Sequence, residues 1–188
     1  MPAGYRASLV NSQVDGTALT NTTTPTSILP GQSKFTLAAN YIQTIGTDIE
    51  FRAAGRISTV VTTPGTLTFD LKFGSVIVAT SGALALNVVA KVNVTWELVW
   101  RLTARAVGGS TTATLMHTGR WASEAVIGSP LPSVGGSGIL LIPASAPAVG
   151  TGFDSTAAQQ VDLFATWSVA NASNSILVHQ AMLESLNG

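Results

Sequence analysis

Two histidines, nine carboxylates and no cysteine are the main side chains this sequence offers for acid–base, metal or thiolate chemistry. His117 and His179 each fall inside a strand-like run, with no H-x-H or HExxH spacing to gather a metal. Both read as structural or surface histidines. The lack of cysteine removes disulfides, thiolate catalysis and zinc–thiolate sites together. Glycoside hydrolysis requires two facing carboxylates. Most of the acids (Asp15, Asp48, Glu50, Asp70, Glu97, Glu124, Asp154, Asp162 and Glu184) instead occupy outward positions beside Arg or Lys, as on a solvated face. Asp154 and Asp162 flank a long loop, and Asp154-Ser155-Thr156 reads as a cap or Asx turn. A Ser-His-Asp triad assembles in space rather than in sequence, yet no G-x-S-x-G elbow is present. Gly150-Thr151-Gly152 has Ser155 where a dinucleotide fingerprint needs its third glycine, and Gly135-Gly136-Ser137-Gly138 lacks the Gly-Lys-Ser/Thr of a phosphate loop. The expectation is a protein without catalytic, cofactor-binding or metal-binding residues.

The tryptophans could serve binding instead. Trp96, Trp100 and Trp167 lie at core-facing positions of their runs. Trp121, after Gly119-Arg120, could be an exposed sugar platform or an interface anchor, although packing in the core or against a subunit suits it better. At 6% aromatic residues, a coplanar set for carbohydrate is not expected.

The elements that must position these residues are strands. Leu67, Phe69, Leu71 and Phe73 alternate with Thr66, Thr68, Asp70 and Lys72, and Trp96, Leu98, Trp100 and Leu102 alternate with Glu97, Val99, Arg101 and Thr103. A strand sends successive side chains to opposite faces, so this pattern predicts half-buried antiparallel sheet. Strands are expected at Lys34 to Leu37, Asp48 to Ser58, Thr66 to Phe73, Val76 to Ala79, Val94 to Val107, Thr112 to Ala125, Ile139 to Ile142, Val161 to Val169 and Ile176 to Leu183. Helical periodicity is nearly absent, apart from one possible turn at Thr156 to Gln160. The fold class is all-β: a jelly-roll-like antiparallel β-sandwich of about eight or nine strands over residues 34–188.

Residues 1–33 form a separate segment, with the polar tract Asn21-Thr22-Thr23-Thr24-Pro25-Thr26 and a Pro30-Gly31 turn. It is either a frayed terminus or an extended N-terminal arm with Leu9, Val10, Ile28 and Leu29 as anchors on a neighbour. The stretch from Gly128 to Thr151, rich in Pro, Gly, Ser and Ala, predicts a packed loop at one end of the sandwich around a short apolar strand. As a contact surface it would offer Leu131 and Val134.

Composition points to partners of the same kind. Net charge is zero and only 10% of residues are charged, against roughly 25% in an ordinary domain; mean hydropathy is +0.39. A free monomer usually carries more charge, so self-association or docking on a larger assembly is favoured. Scattered basic residues argue against nucleic acid and against an anionic membrane surface. No apolar run approaches the ~20 residues that span a bilayer. Met-Pro-Ala-Gly-Tyr-Arg has no basic region followed by an apolar stretch, so assembly in a cytoplasm without export is expected.

The phrases Asp48-Ile-Glu-Phe-Arg-Ala-Ala-Gly-Arg-Ile-Ser58, Thr62-Thr-Pro-Gly-Thr-Leu-Thr-Phe-Asp-Leu-Lys-Phe-Gly74, Ser81-Gly-Ala-Leu-Ala-Leu86 and Trp96-Glu-Leu98 resemble small β-rich virion proteins of tailed bacteriophages. The likeness is to head decoration, cement or fibre-like proteins and runs from about Ile28 to Leu186. It implies a jelly-roll-like fold, a homotrimer, the major capsid protein as partner and a place on the outside of the particle. It brings no catalytic residue with it. A tail or fibre component that recognises a host surface glycan is the alternative.

Overall fold

The computed structural model describes residues 6–126 and 138–186. Its strands are β1 (Ala7–Asn11), β2 (Leu19–Thr20), β3 (Thr26–Ser27), β4 (Thr36–Leu37), β5 (Asp48–Thr59), β6 (Thr66–Phe73), β7 (Val76–Thr80), β8 (Leu84–Ala85), β9 (Lys91–Ala106), β10 (Thr114–Ser123), β11 (Ile139–Ile142), β12 (Gln159–Trp167) and β13 (Ser175–Ser185). The long alternating runs all became strands, because each places large apolar groups on one face and polar groups on the other. In β6, the buried residues are Leu67, Phe69, Leu71 and Phe73, in strict alternation. No α-helix occurs among the described residues; Pro30-Gly31 opens a single 3-10 turn, Gly31–Ser33.

Two antiparallel sheets result. The larger runs β1-β13-β5-β9-β10-β11, with β2 also on β13; the smaller runs β3-β12-β6-β7, with β4 on β12 and β8 on β6. The orders β1-β13-β5-β9 and β3-β12-β6-β7 wrap the chain as two interleaved Greek keys, which is the jelly-roll arrangement. The β9–β10 hairpin and β11 widen the larger sheet beyond those four strands.

Residues 6–33 do not stand apart from the sandwich as a separate arm. β1 pairs with β13 and β3 with β12, so this segment supplies a strand to each sheet. The amide of Ser12 donates to Ala181 O, that of Gly16 to Val178 O and that of Ile28 to Leu163 O. The two-residue strands could not be read as alternation. Lys34 to Leu37 likewise shortens to Thr36–Leu37, because the 3-10 turn occupies the approach.

Between the sheets, Trp96, Trp100, Trp121 and Trp167 are all fully buried. Phe69 lies 5.6 Å from both Trp96 and Trp121, and Phe73 meets Phe153 edge-on at 5.3 Å. Trp96 Nε1 donates to Arg56 O and Leu177 O, and Trp167 Nε1 donates to Leu19 O. Each large side chain removed from water contributes about 1.5–3 kcal/mol, so this core, rather than any loop, holds the outer faces in register.

Candidate functional site

Most of the acids, and His179, are engaged in holding strands and turns together. Asp48 accepts from Arg101 Nε at 2.7 Å and from Thr103 Oγ1 at 3.1 Å across β5–β9. Glu50 and Glu184 share Arg6, and Glu50 also takes Arg52. Asp162 accepts from Ser27 Oγ at 2.8 Å and pairs with Lys34 Nζ at 3.0 Å, which pins the N-terminal segment to β12. Asp154 closes the expected Asx turn, accepting from Thr156 N at 2.8 Å and Thr156 Oγ1 at 2.6 Å. The Thr156 hydroxyl, with the Ser110 and Thr156 amides, holds its carboxyl below the usual range. His179 Nδ1 lies 2.8 Å from Asp15 Oδ1, linking the N-terminal segment to β13. Lys91–Glu124 and Arg120–Glu97 are looser, at 3.6 and 3.9 Å. Among the described residues, Asp70 has no such partner. No group of three or more His, Asp or Glu capable of holding a metal occurs among the described residues. Gly150 and Gly152 serve close packing: a Cβ there would reach 2.0 Å from Val78 O and 1.9 Å from Thr111 O.

Of the two readings left open for the histidines, structural or surface, His117 takes the structural one. It is only 4% exposed, its Nδ1 has no hydrogen-bond partner, and Trp100 meets it edge-on at 6.2 Å. Burial pushes its pKa down, favouring neutral imidazole. Its place in the alternation, two residues after Leu115 and four before Trp121, was the available signal.

The proposed contact residues divide into three groups. Ile28 and Leu29, expected as anchors on a neighbour, are buried at 0% and 5% in the chain's own core. Trp121 is likewise fully buried, edge-on to Phe69, and has no surface for a sugar or a partner. The physical reason is shared: Trp121 belongs to β10, and Ile28 and Leu29 follow directly on β3 with the Ile28 amide bonded to Leu163 O, so these apolar side chains fill the space between the sheets. Leu9 and Val10 are partly buried against the same core. Leu131 and Val134 lie outside the described residues.

What remains for recognition is the outward face of the larger sheet. All six arginines, Arg6, Arg52, Arg56, Arg101, Arg105 and Arg120, project from it. Register brings Asn11 opposite Met182, Met182 opposite Arg52, and Gln180 opposite Ala54, which faces Glu97. Because Ala54 is short, these neighbours wall a shallow depression of about 390 Å³. Arg52, Gln180 and Asn11 offer donors there, and Glu97, nearly half exposed, offers acceptors. Gln180 faces outward only because a bulge between Val178 and Gln180 shifts the phase of β13. At one end of the sandwich, Val61, Val88 and Val89 on neighbouring loops and Val92 at the start of β9 are 53–75% exposed.

No protein-family model matches the chain, and no curated protein matches it in sequence. Among solved structures, the chain is similar to the CBM2 module of the evolved Dit of Lactobacillus casei BL23 phage J-1, with 12% identity and a TM-score of 0.36, covering 87% of this chain and 76% of that one. It is also similar to winged bean acidic lectin complexed with methyl-α-D-galactose, at 9% identity and a TM-score of 0.30, covering 98% and 100%. A third is β-fructofuranosidase from Schwanniomyces occidentalis, at 8% identity and a TM-score of 0.31, where the match covers 97% of this chain but only 34% of the enzyme. Overlaps this slight carry no argument about function. No helix among the described residues is long and apolar enough to cross a membrane.

Proposed function

We propose that this protein is a non-enzymatic structural component of a tailed-bacteriophage particle and works by attachment. The observation that carries the reading is the commitment of the acids to structural pairs, Asp48 to Arg101, Asp162 to Ser27 and Lys34, and Asp154 to its own turn. The exposed valines at one end, and the 10% charge content, support a surface that meets neighbours. In its most specific form, the protein is a homotrimeric decoration protein on the outside of the assembled head, in contact with the major capsid protein. A protein that binds the shell and not its free subunits stabilises the shell by mass action, by about 2.7 kcal/mol per site at a hundredfold excess over Kd.

Labelled antibody on intact particles, viewed by electron microscopy, tests this directly. Labels over the heads are expected. Labelling confined to the tail tip overturns head decoration, and unlabelled particles overturn the virion assignment. Light scattering of purified protein is expected to give a trimer; a monomer that ignores expanded shells counts against the decoration role.

A second reading, a tail or fibre component that recognises a host glycan, is favoured by the depression over Ala54. Vicinal hydroxyls of a sugar suit a carboxylate acceptor beside amide and guanidinium donors, the chemistry of Glu97, Gln180 and Arg52. Substituting Glu97→Gln together with Arg52→Ala would then abolish binding to host cell-wall glycan while the fold survives.

A further inference from the structure

The outer edge of β10 is covered in two pieces. Residues Ile139–Ile142 of β11 pair with Gly119 to Ala122, and further along Val149 bridges Met116 and Phe153 bridges Ala113. The six residues between, 143–148, leave the ladder. They cross toward the smaller sheet, where the Ala144 amide donates to Ser81 O at 2.7 Å. This detour falls opposite His117 and leaves a cleft of about 230 Å³ between the sheets, open to solvent.

We propose that this cleft is a binding site for a small, neutral, polyhydroxylated molecule of monosaccharide size, with His117 as its polar anchor. The walls fit that chemistry. Ile77, Ala79, Ala146 and Val149 offer apolar surface to the C–H face of a ring, while Thr80, Ser145 and Thr151 offer hydroxyls. His117 lines the inner end and is more than nine-tenths buried. Its Nδ1 is sealed from solvent without a protein partner, whereas Nε2 is not in that state and is the ring nitrogen through which a ligand in the cleft would bond. None of the described lining residues is charged, so an ionic ligand would be desolvated without compensation. The volume lies below the roughly 300–1,000 Å³ of drug-sized sites and corresponds to about seven or eight waters at about 30 Å³ each. This site lies between the sheets, separate from the depression over Ala54, and does not depend on it.

The test uses the full chain in solution. D-glucose, D-galactose and N-acetyl-D-glucosamine are titrated separately to about 100 mM, a range that captures millimolar dissociation constants. Tryptophan fluorescence reports through Trp100, and the His117 ring is followed by NMR. A saturable response to at least one sugar is expected, weakened about tenfold or more in His117→Phe, where the anchoring hydrogen bond is lost. Ala146→Phe, an exposed position that fills the mouth without touching the core, is expected to do the same, so an unfolded His117 variant leaves the test intact. D-glucuronate is expected to bind about tenfold more weakly than its neutral counterpart. No saturable response to any of the three sugars means that water alone satisfies His117, and overturns the proposal. A response unchanged in Ala146→Phe, or equal for glucuronate, overturns the location or the neutrality of the ligand.

Discussion

The two outward faces of this sandwich are built from the same alternating strands and yet differ in kind. The larger sheet displays all six arginines, of which Arg6, Arg52, Arg101 and Arg120 are laced to Asp48, Glu50, Glu97 and Glu184. The smaller sheet displays Thr66, Thr68, Thr166 and Phe164 with few charges, and its Lys72 lies over the Phe164 ring at 3.7 Å. One face is held by ion pairs that salt and substitution can tune. The other is mainly a hydroxyl surface, with Asp70, Lys72 and the Lys34–Asp162 pair as its charges. Zero net charge therefore conceals an uneven distribution, with all six arginines on the larger sheet.

The sharpest break of that contrast is Asp48→Ala set against Asp70→Ala. Asp48 is 5% exposed and holds both Arg101 and Thr103. Its removal should cost about 1–2 kcal/mol in urea unfolding, the exposure of Arg101 moderating the loss. Asp70, which makes no such pair, should change stability by less than about 0.5 kcal/mol; equal losses would erase the distinction between the faces. Lys72→Ala should cost about 0.5–1 kcal/mol through the lost cation–π contact, and thermal melts should show that loss persisting at high salt. Glu184→Gln should cost still less, under about 0.5 kcal/mol, because Arg6 is 55% exposed. Unlike Lys72→Ala, its effect should vanish in high salt.

The gentlest perturbation is pH, which acts between the faces. His117 is held neutral by burial, so its folded pKa lies below the ordinary 6.5. As pH falls through 6.5 the unfolded chain takes up the proton first. His117's contribution is therefore whole above that value and declines toward the lower folded pKa. His117→Phe should flatten this part of a stability–pH curve, and an unaltered slope would refute the assignment.

Much of the architecture was legible because alternation persists through β5, β6, β9, β10, β12 and β13. The N-terminal strands were hidden for physical reasons. β2, β3 and β4 are two residues each, and β1 carries a register shift between Ser8 and Val10. Ile28 and Leu29 consequently read as sticky surface when they are core. The depression was illegible for another reason: Asn11, Arg52, Glu97 and Gln180 converge only through register. Strict alternation also puts Gln180 on the same face as the buried Val178, and only the bulge turns it outward. His117 shows the limit at a single residue. A buried and a solvated histidine look alike in sequence, and only the opposing Trp100 and the detour of 143–148 decide between them.

The position of β13 has a consequence for how the molecule comes into being. Among the described strands it comes last in sequence, and it sits between β1 and β5 while also receiving β2. During synthesis, β1 must wait for β13. Until β13 leaves the ribosome, β1 and β2 have no edge to join and one side of β5 is bare. Such distant pairing makes folding slow, and an exposed strand edge in the interim is a liability for mispairing. Completion of the larger sheet is thus a single late event, and ribosome-stalled chains ending before Ser175 should remain protease-sensitive throughout.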